Sequence, residues 1–278
     1  MAQFQDPGFV VIAGAAGGIG QEVGFTFAEA GAKGVLFADI KLDGASRAAD
    51  HSKSLATAPE YEALSMELDM TDTKSVQATV DYAIRKFGRV DCCVNASGKV
   101  DTEAYNSIDQ VTEDDYDRVL RVNAKGTFLL TKAIVAAMKL QDIRHVSLGR
   151  HGSRDVGRGS IVNVSSGQSI AAAPHRTPYV TSKHAILGLT RASAMDCKPF
   201  GIRVNQVSPA WVRTPMYDEN CRREPLTPEV VRKFTTGQGP MEAHEVASAC
   251  LYLCSTSAVS VNGANLVMDH GITVGPVI

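Results

Sequence analysis

Short apolar runs alternate with longer stretches whose apolar residues recur every three or four positions. The runs are 9–13, 35–38, 63–68, 90–94, 160–164, 202–207 and 264–268. Each has strand length, and runs such as 9–13 and 35–38 are apolar at consecutive positions, as expected of strands buried on both faces. Between them, 19–30, 75–87, 114–140, 179–197 and 246–254 read as helices. In 75–87, Val76, Val80, Ala83, Ile84 and Phe87 share one helix face. The run 114–140 is long for one helix, and a break is expected near Asn123. Strands separated by helices predict a parallel sheet covered on both sides, wound by right-handed crossovers. The expected fold class is therefore α/β, a doubly wound parallel sheet in three α/β/α layers with about seven strands. No linker or repeat divides residues 1–278, so one domain is expected. The polar segment 141–159 is read as a surface loop inserted before the fifth strand.

Composition narrows the function. With 278 residues and 44% hydrophobic content there is ample material for a core. A net charge of −2 gives no electrostatic footprint for nucleic acid. No apolar run reaches the ~18 residues a membrane span requires, and residues 1–8 lack a signal-peptide pattern. The six cysteines have no companion acids or histidines at ligand spacing, so no metal site is expected. They read as unpaired thiols in a reducing compartment, which implies the cytoplasm.

Three motifs carry candidate chemistry. Gly14, Gly18, Ile19 and Gly20 follow the first strand and open a helix. Glycines there let a pyrophosphate approach the backbone, and the helix N-terminus offers N–H groups and positive dipole. Asp39 ends the second strand, 19 residues after Gly20. A carboxylate there accepts hydrogen bonds from ribose hydroxyls and repels a 2′-phosphate, which selects NAD over NADP. Tyr179 and Lys183 are four residues apart and fall on one helix face. An ammonium beside a phenol favours the phenolate, and such a tyrosine can exchange a proton with an alcohol or carbonyl oxygen.

In this order, with Asp69, Asn95-Ala96-Ser97-Gly98, Asn123, Ser165-Ser166 and Ser208-Pro209 with Thr214, the motifs resemble the short-chain dehydrogenase/reductase family over nearly the whole chain. The resemblance implies a Rossmann fold, a homotetramer and a small-molecule alcohol or ketone substrate. It implies that Tyr179 is the general acid/base, that Lys183 tunes it and binds the nicotinamide ribose, and that Ser166 holds the substrate oxygen. Ser165 and Ser169 are close competitors of Ser166. Asn123 matches the residue supporting a water-linked proton relay, Asp69 the acid that meets adenine, and Asn95 a neighbour of the adenosine ribose. Val212 and Thr214 match the loop receiving the nicotinamide carboxamide. Met70, Ala96 and Pro209 join the expected cofactor set. The chain departs from the family pattern at Ala13, Ala96-Ser97, Ala210 and His270, none of them in the proton-transfer set.

The expected activity is NAD(H)-dependent interconversion of a secondary alcohol and a ketone on a lipophilic small molecule. The rival is a catalytically idle dinucleotide-binding regulatory or scaffold protein, which a missing Tyr or Lys would favour. Substrate walls are expected from 99–106, 170–178 and 211–234, the last forming a lid over about 211–235. Trp211, Met216, Tyr217 and Leu226 are candidate apolar contacts there, and His175 and Arg176 candidate polar ones.

Overall fold

A computed structural model describes residues 7–100, 106–147, 149–223, 228–235 and 237–275. Seven parallel strands form the sheet, in the order β3-β2-β1-β4-β7-β8-β9. They are β1 (Phe9–Ala13), β2 (Gly34–Asp39), β3 (Glu62–Glu67), β4 (Cys92–Asn95), β7 (Gly159–Val164), β8 (Ile202–Pro209) and β9 (Asn265–Met268). The remaining pair, β5 (Arg144–Ser147) and β6 (Ser153–Gly157), forms a separate antiparallel ribbon.

The helices are α1 (Gly18–Glu29), α2 (Leu42–Ser52), α3 (Thr73–Phe87), α4 (Glu113–Leu120), α5 (Gly126–Lys139), α6 (Thr177–Cys197), α7 (Pro215–Arg223), α8 (Pro228–Phe234) and α9 (Ala243–Cys254). Two apolar clusters lie on opposite faces of the sheet. One joins Val10, Ile12 and Cys92 to α1, α2 and α9. The other joins Val11, Ala13 and Cys93 to α3, α5 and α6. Adjacent residues of one strand therefore enter different cores, which is why β1 is apolar at every position rather than at every second one.

Local chemistry sets the helix ends. Asp72 caps α3 by accepting from Lys74 N at 2.9 Å and Ser75 N at 3.3 Å. Gly88 ends it in the left-handed region, at φ 76°. The expected break near Asn123 is a π turn, Arg121–Lys125, that keeps α4 and α5 in one continuous rod. Helix α2 has no counterpart in the apolar pattern, because its buried face is Gly44, Ala45, Ala48, Ala49 and Ser52.

The segment 141–159 is not a simple loop. It holds the β5–β6 hairpin, and its root is bonded to the domain. Gln141 exchanges hydrogen bonds of 2.8 Å with both backbone groups of Val90, and Arg158 Nε donates to Gln141 O at 2.8 Å. At the amino ends of the strands a cavity of about 270 Å³ is lined by Lys33, Arg89, Asp91, Arg144 and His145. Asp91 holds that end together, accepting from Phe9 N at 2.9 Å and from Arg89 Nε at 2.7 Å.

Candidate active site

The candidate residues gather at the carboxyl ends of β1, β2, β4, β7 and β8, where open α/β sheets bind ligands. Gly14 N and Ala15 N donate to Ala38 O, at 2.8 and 3.2 Å, and turn the chain sharply out of β1. Gly14 has φ 82°, and a Cβ there would lie 2.6 Å from Ser97 N. At Gly20 a Cβ would stand 2.0 Å from Gly14 O, so helix and turn pack as backbone on backbone. Helix α1 begins with no side-chain cap at Gly17 and no acid in its first turn. Its leading N–H groups therefore point, uncapped, at whatever anion enters. That donor set, beside a turn only glycine can make, fits a dinucleotide pyrophosphate.

Asp39 closes this end. Its Oδ2 accepts from Ala16 N at 3.0 Å and its Oδ1 from Lys41 N at 2.9 Å. The acid is thus tied to the glycine turn, and Lys41 meets it through backbone. Asp69 Oδ1 takes both Thr71 N and Thr71 Oγ1 at 2.8 Å. Met70 beside it is buried and packs closely on Gly126, where an added Cβ would lie 3.0 Å from Met70 Cβ. Asn95 does not present its side chain to the cleft. Its amide donates to Thr127 Oγ1 at 2.9 Å and accepts from Ser97 N at 3.1 Å, while Ala96 N pairs with Ala13 O at 2.9 Å.

Tyr179 and Lys183 meet on α6 as the spacing requires, with Lys183 Nζ 5.3 Å from the centre of the Tyr179 ring. Lys183 is only 4% exposed. A Cβ on Gly98 would lie 3.7 Å from Lys183 Nζ and 3.8 Å from Asn123 Oδ1, so the strand-end loop lies against both. Asn123 is fully buried at the π turn. It clasps Lys99, accepting from its N and donating to its O, both at 2.8 Å. It also donates to Ser182 Oγ at 3.0 Å, and that hydroxyl donates to Tyr179 O at 2.7 Å. Ser182 is a member of the constellation that the motif reading did not single out, although it lies between Tyr179 and Lys183 in sequence.

The three candidate serines are separated by burial. Ser165 is 5% exposed and Ser169 fully buried. Ser166 is half-buried and caps the one-turn 3-10 helix Gly167–Ser169, its Oγ accepting from Gln168 N at 3.2 Å. Beyond β8, Pro209 leads into Val212, whose residue pairs with Met241 in a lone β-bridge. Thr214 Oγ1 donates to Val212 O and accepts from Tyr217 N, both at 3.2 Å, and so starts α7. A Cβ on Gly18 would come within 3.3 Å of Thr214 Cγ2, which brings this loop against the glycine turn.

The expected lid is two helices, α7 and α8, with Trp211 and Phe234 in ring contact at 6.0 Å. Tyr217 is buried, and burial pushes its phenol up to about 12, so it fastens the segment rather than facing solvent. Met216 stays 43% exposed. His175 is exposed, whereas Arg176 is buried at the start of α6. Leu226, Pro225 and residues 101–105 of the expected walls lie outside the described residues. Among the described residues no cluster of three or more His, Cys, Asp or Glu could hold a metal, and no helix is long and apolar enough to cross a membrane.

A parallel Rossmann sheet with this glycine turn and this Tyr–Lys pair defines a nicotinamide-dependent oxidoreductase. Comparison with known proteins agrees. The family model described as Enoyl-(Acyl carrier protein) reductase matches residues 14–273. Short-chain dehydrogenase anuF of Penicillium roqueforti is 38% identical over 267 residues, covering 96% of each chain. Short-chain dehydrogenase srdC of Neurospora crassa is 37% identical over 258 residues, covering 93% of this chain and 94% of the relative. The crystal structure of levodione reductase superposes with a TM-score of 0.84 at 26% identity, covering 98% of this chain and all of that one. The chain belongs to the short-chain dehydrogenase/reductase family.

Proposed function

We propose that this protein is an NAD(H)-dependent dehydrogenase/reductase that interconverts a secondary alcohol and a ketone on a lipophilic small molecule. The observation that carries the reading is that the turn capped by Ser166 and the π turn bearing Asn123 both pack against α6, the helix of Tyr179 and Lys183, with Ser166 the only one of the three candidate serines not buried. A nicotinamide dinucleotide bound along the glycine turn supplies the hydride acceptor or donor. Gly14, Gly18, Ile19 and Gly20 would hold its pyrophosphate, Asp39 its adenosine ribose, and Asp69, Met70 and Ala96 the adenine side. Pro209, Val212 and Thr214 would hold the carboxamide end. The side chain of Asn95 would act at one remove, by fixing the Ala96–Ser97 backbone.

Tyr179 exchanges the proton with the substrate oxygen. Ser166 Oγ already accepts the Gln168 N–H, so its own hydrogen is left to donate to that oxygen. Lys183 supplies positive charge beside the Tyr179 ring, and Asn123 ties the Lys99 backbone to Ser182 of the same helix. Apolar side chains on the flanking segments support a lipophilic substrate: Ile170 is 44%, Met216 43% and Phe234 40% exposed. The levodione reductase likeness, by its name a reductase of a dione, points the same way.

The reading includes one catalytic domain, a cytoplasmic location and a homotetramer formed through α4–α5 and α6. Phe128 on α5 and Met195 on α6 are 46% and 70% exposed, and a partner subunit would cover them. The deciding experiment is an NAD⁺ and NADP⁺ reduction screen over a varied panel of alcohols, run beside Tyr179→Phe. Turnover of a secondary alcohol that vanishes in the variant supports the reading. Equal turnover by both proteins overturns it.

A further inference from the structure

Ser166 rides on a single 3-10 turn, and a turn that short has few bonds of its own to hold it. What steadies it lies beneath. Ser169, the last residue of the turn, is fully buried. Its hydroxyl meets Gln206 Nε2 at 3.0 Å and Ser208 Oγ at 3.1 Å. Gln206 Nε2 also donates to Ser208 Oγ at 2.8 Å and to Asn265 Oδ1 at 3.1 Å, sharing its two hydrogens among three oxygens. Ser208 donates in turn to Asn265 Oδ1 at 2.6 Å. Gln206 and Asn265 face each other in the β8–β9 register. Four polar side chains thus tie the turn to two strands of the sheet.

This arrangement costs stability. Gln206 is fully buried within an interior strand, and its Oε1 has no hydrogen-bond partner. A buried amide oxygen without a partner is unfavourable, and an apolar side chain would suit the strand better. The bonds its amide does make go to Ser208 on the same strand, across to Asn265 at β9, and to one further element, the turn bearing Ser166. That direction gives the amide a role that stability alone does not explain.

We propose that Gln206 and Ser169 are positioning residues that act through Ser166. The Gln206 amide locks the far end of the 3-10 turn, the closed turn keeps Gln168 N against Ser166 Oγ, and the Ser166 hydrogen is thereby aimed at the substrate oxygen. The proposal rests on the reading of Ser166 given above.

A double-mutant cycle on the full chain tests it. Ser166→Ala, Ser169→Ala and the double variant are compared with the native protein on an accepted alcohol. The readouts are kcat, KM and the Kd for NAD(H) measured by fluorescence. Ser169→Ala alone is expected to lower kcat by about tenfold with the cofactor Kd unchanged, and to cost less than about twofold once Ser166 is already alanine. Gln206→Met, of similar volume and with no donor, is expected to repeat that pattern and stands in if Ser169→Ala proves unstable. A loss of the same size in both backgrounds means general loosening and overturns the proposal alone, as does no loss at all. Full turnover by Ser166→Ala removes the reading of the site and the proposal with it.

Discussion

Tyr179→Phe removes one oxygen from a half-buried side chain and leaves α6 unchanged. If the proton passes through that oxygen, turnover falls by roughly 10²–10⁴-fold while NAD(H) binding is retained. Steady-state kinetics beside a fluorescence titration separate the two effects, and a variant with native turnover contradicts the assignment. On the proposed function, Asp39 governs cofactor choice. The native protein is expected to bind NAD(H) at least about tenfold tighter than NADP(H), and Asp39→Ala to narrow that gap by removing the charge that repels a 2′-phosphate. Titrating both cofactors against both proteins checks it; tighter NADP(H) binding to the native protein refutes it. Gly20→Ala is a harsher change. Its Cβ meets Gly14 O at 2.0 Å, and two backbones must move. Lost cofactor binding and a stability cost of about 1–3 kcal/mol are expected, read by titration and denaturant melts.

At the scale of elements, Asp72 is the plainest target. It makes both side-chain cap bonds of α3, so Asp72→Ala should cost about 1 kcal/mol in urea denaturation and leave kcat untouched. Legibility differs by element for physical reasons. The central strands were readable because both faces are buried, and β1 is apolar at every position. Helix α2 left no trace, since a helix that packs close to Ala16 through Gly44 buries glycine and alanine rather than large side chains. The β5–β6 hairpin was hidden for the opposite reason. His145, Ser147, Arg154 and Asp155 are exposed, and little apolar periodicity survives where little is buried. The motif residues were legible as a set because chemistry fixes their spacing on α1 and α6. Ser182 and Gln206 were not, because hydrogen bonds between elements distant in sequence leave no periodic signal.

For the whole molecule, the core has a chemical signature. Burial pushes the Cys250 thiol up to about 12 and drives Cys93 up as well, while a hydrogen bond with Cys254, reinforced by burial, raises Cys92. The thiolate is the reactive form, and a raised pKa keeps these groups neutral at any pH below it. At pH 8 the folded protein should therefore release its thiols to a disulfide reagent slowly and incompletely, with the half-buried Cys221 and Cys254 first, and all six should react on unfolding. Fast reaction of all six in the native state would mean a looser core than the one described. Light scattering at micromolar concentration should give the mass of four chains, and a monomer would leave the exposed apolar residues of α5 and α6 without the proposed cover.

The β-bridge between Val212 and Met241 has a consequence for how such a protein diversifies. Met241 N donates to Trp211 O at 2.9 Å and Arg213 N to Met241 O at 2.8 Å, so the chain leaves and re-enters the scaffold at one place. Everything between is an excursion closed at its base. Lengthening a closed excursion costs little, about 0.6 kcal/mol for each doubling. On the proposed function, residues 215–240 form an exchangeable cassette: their sequence and length can be rewritten for a new substrate while β8, Thr214, the glycine turn and the Tyr179–Lys183 pair stay where they are.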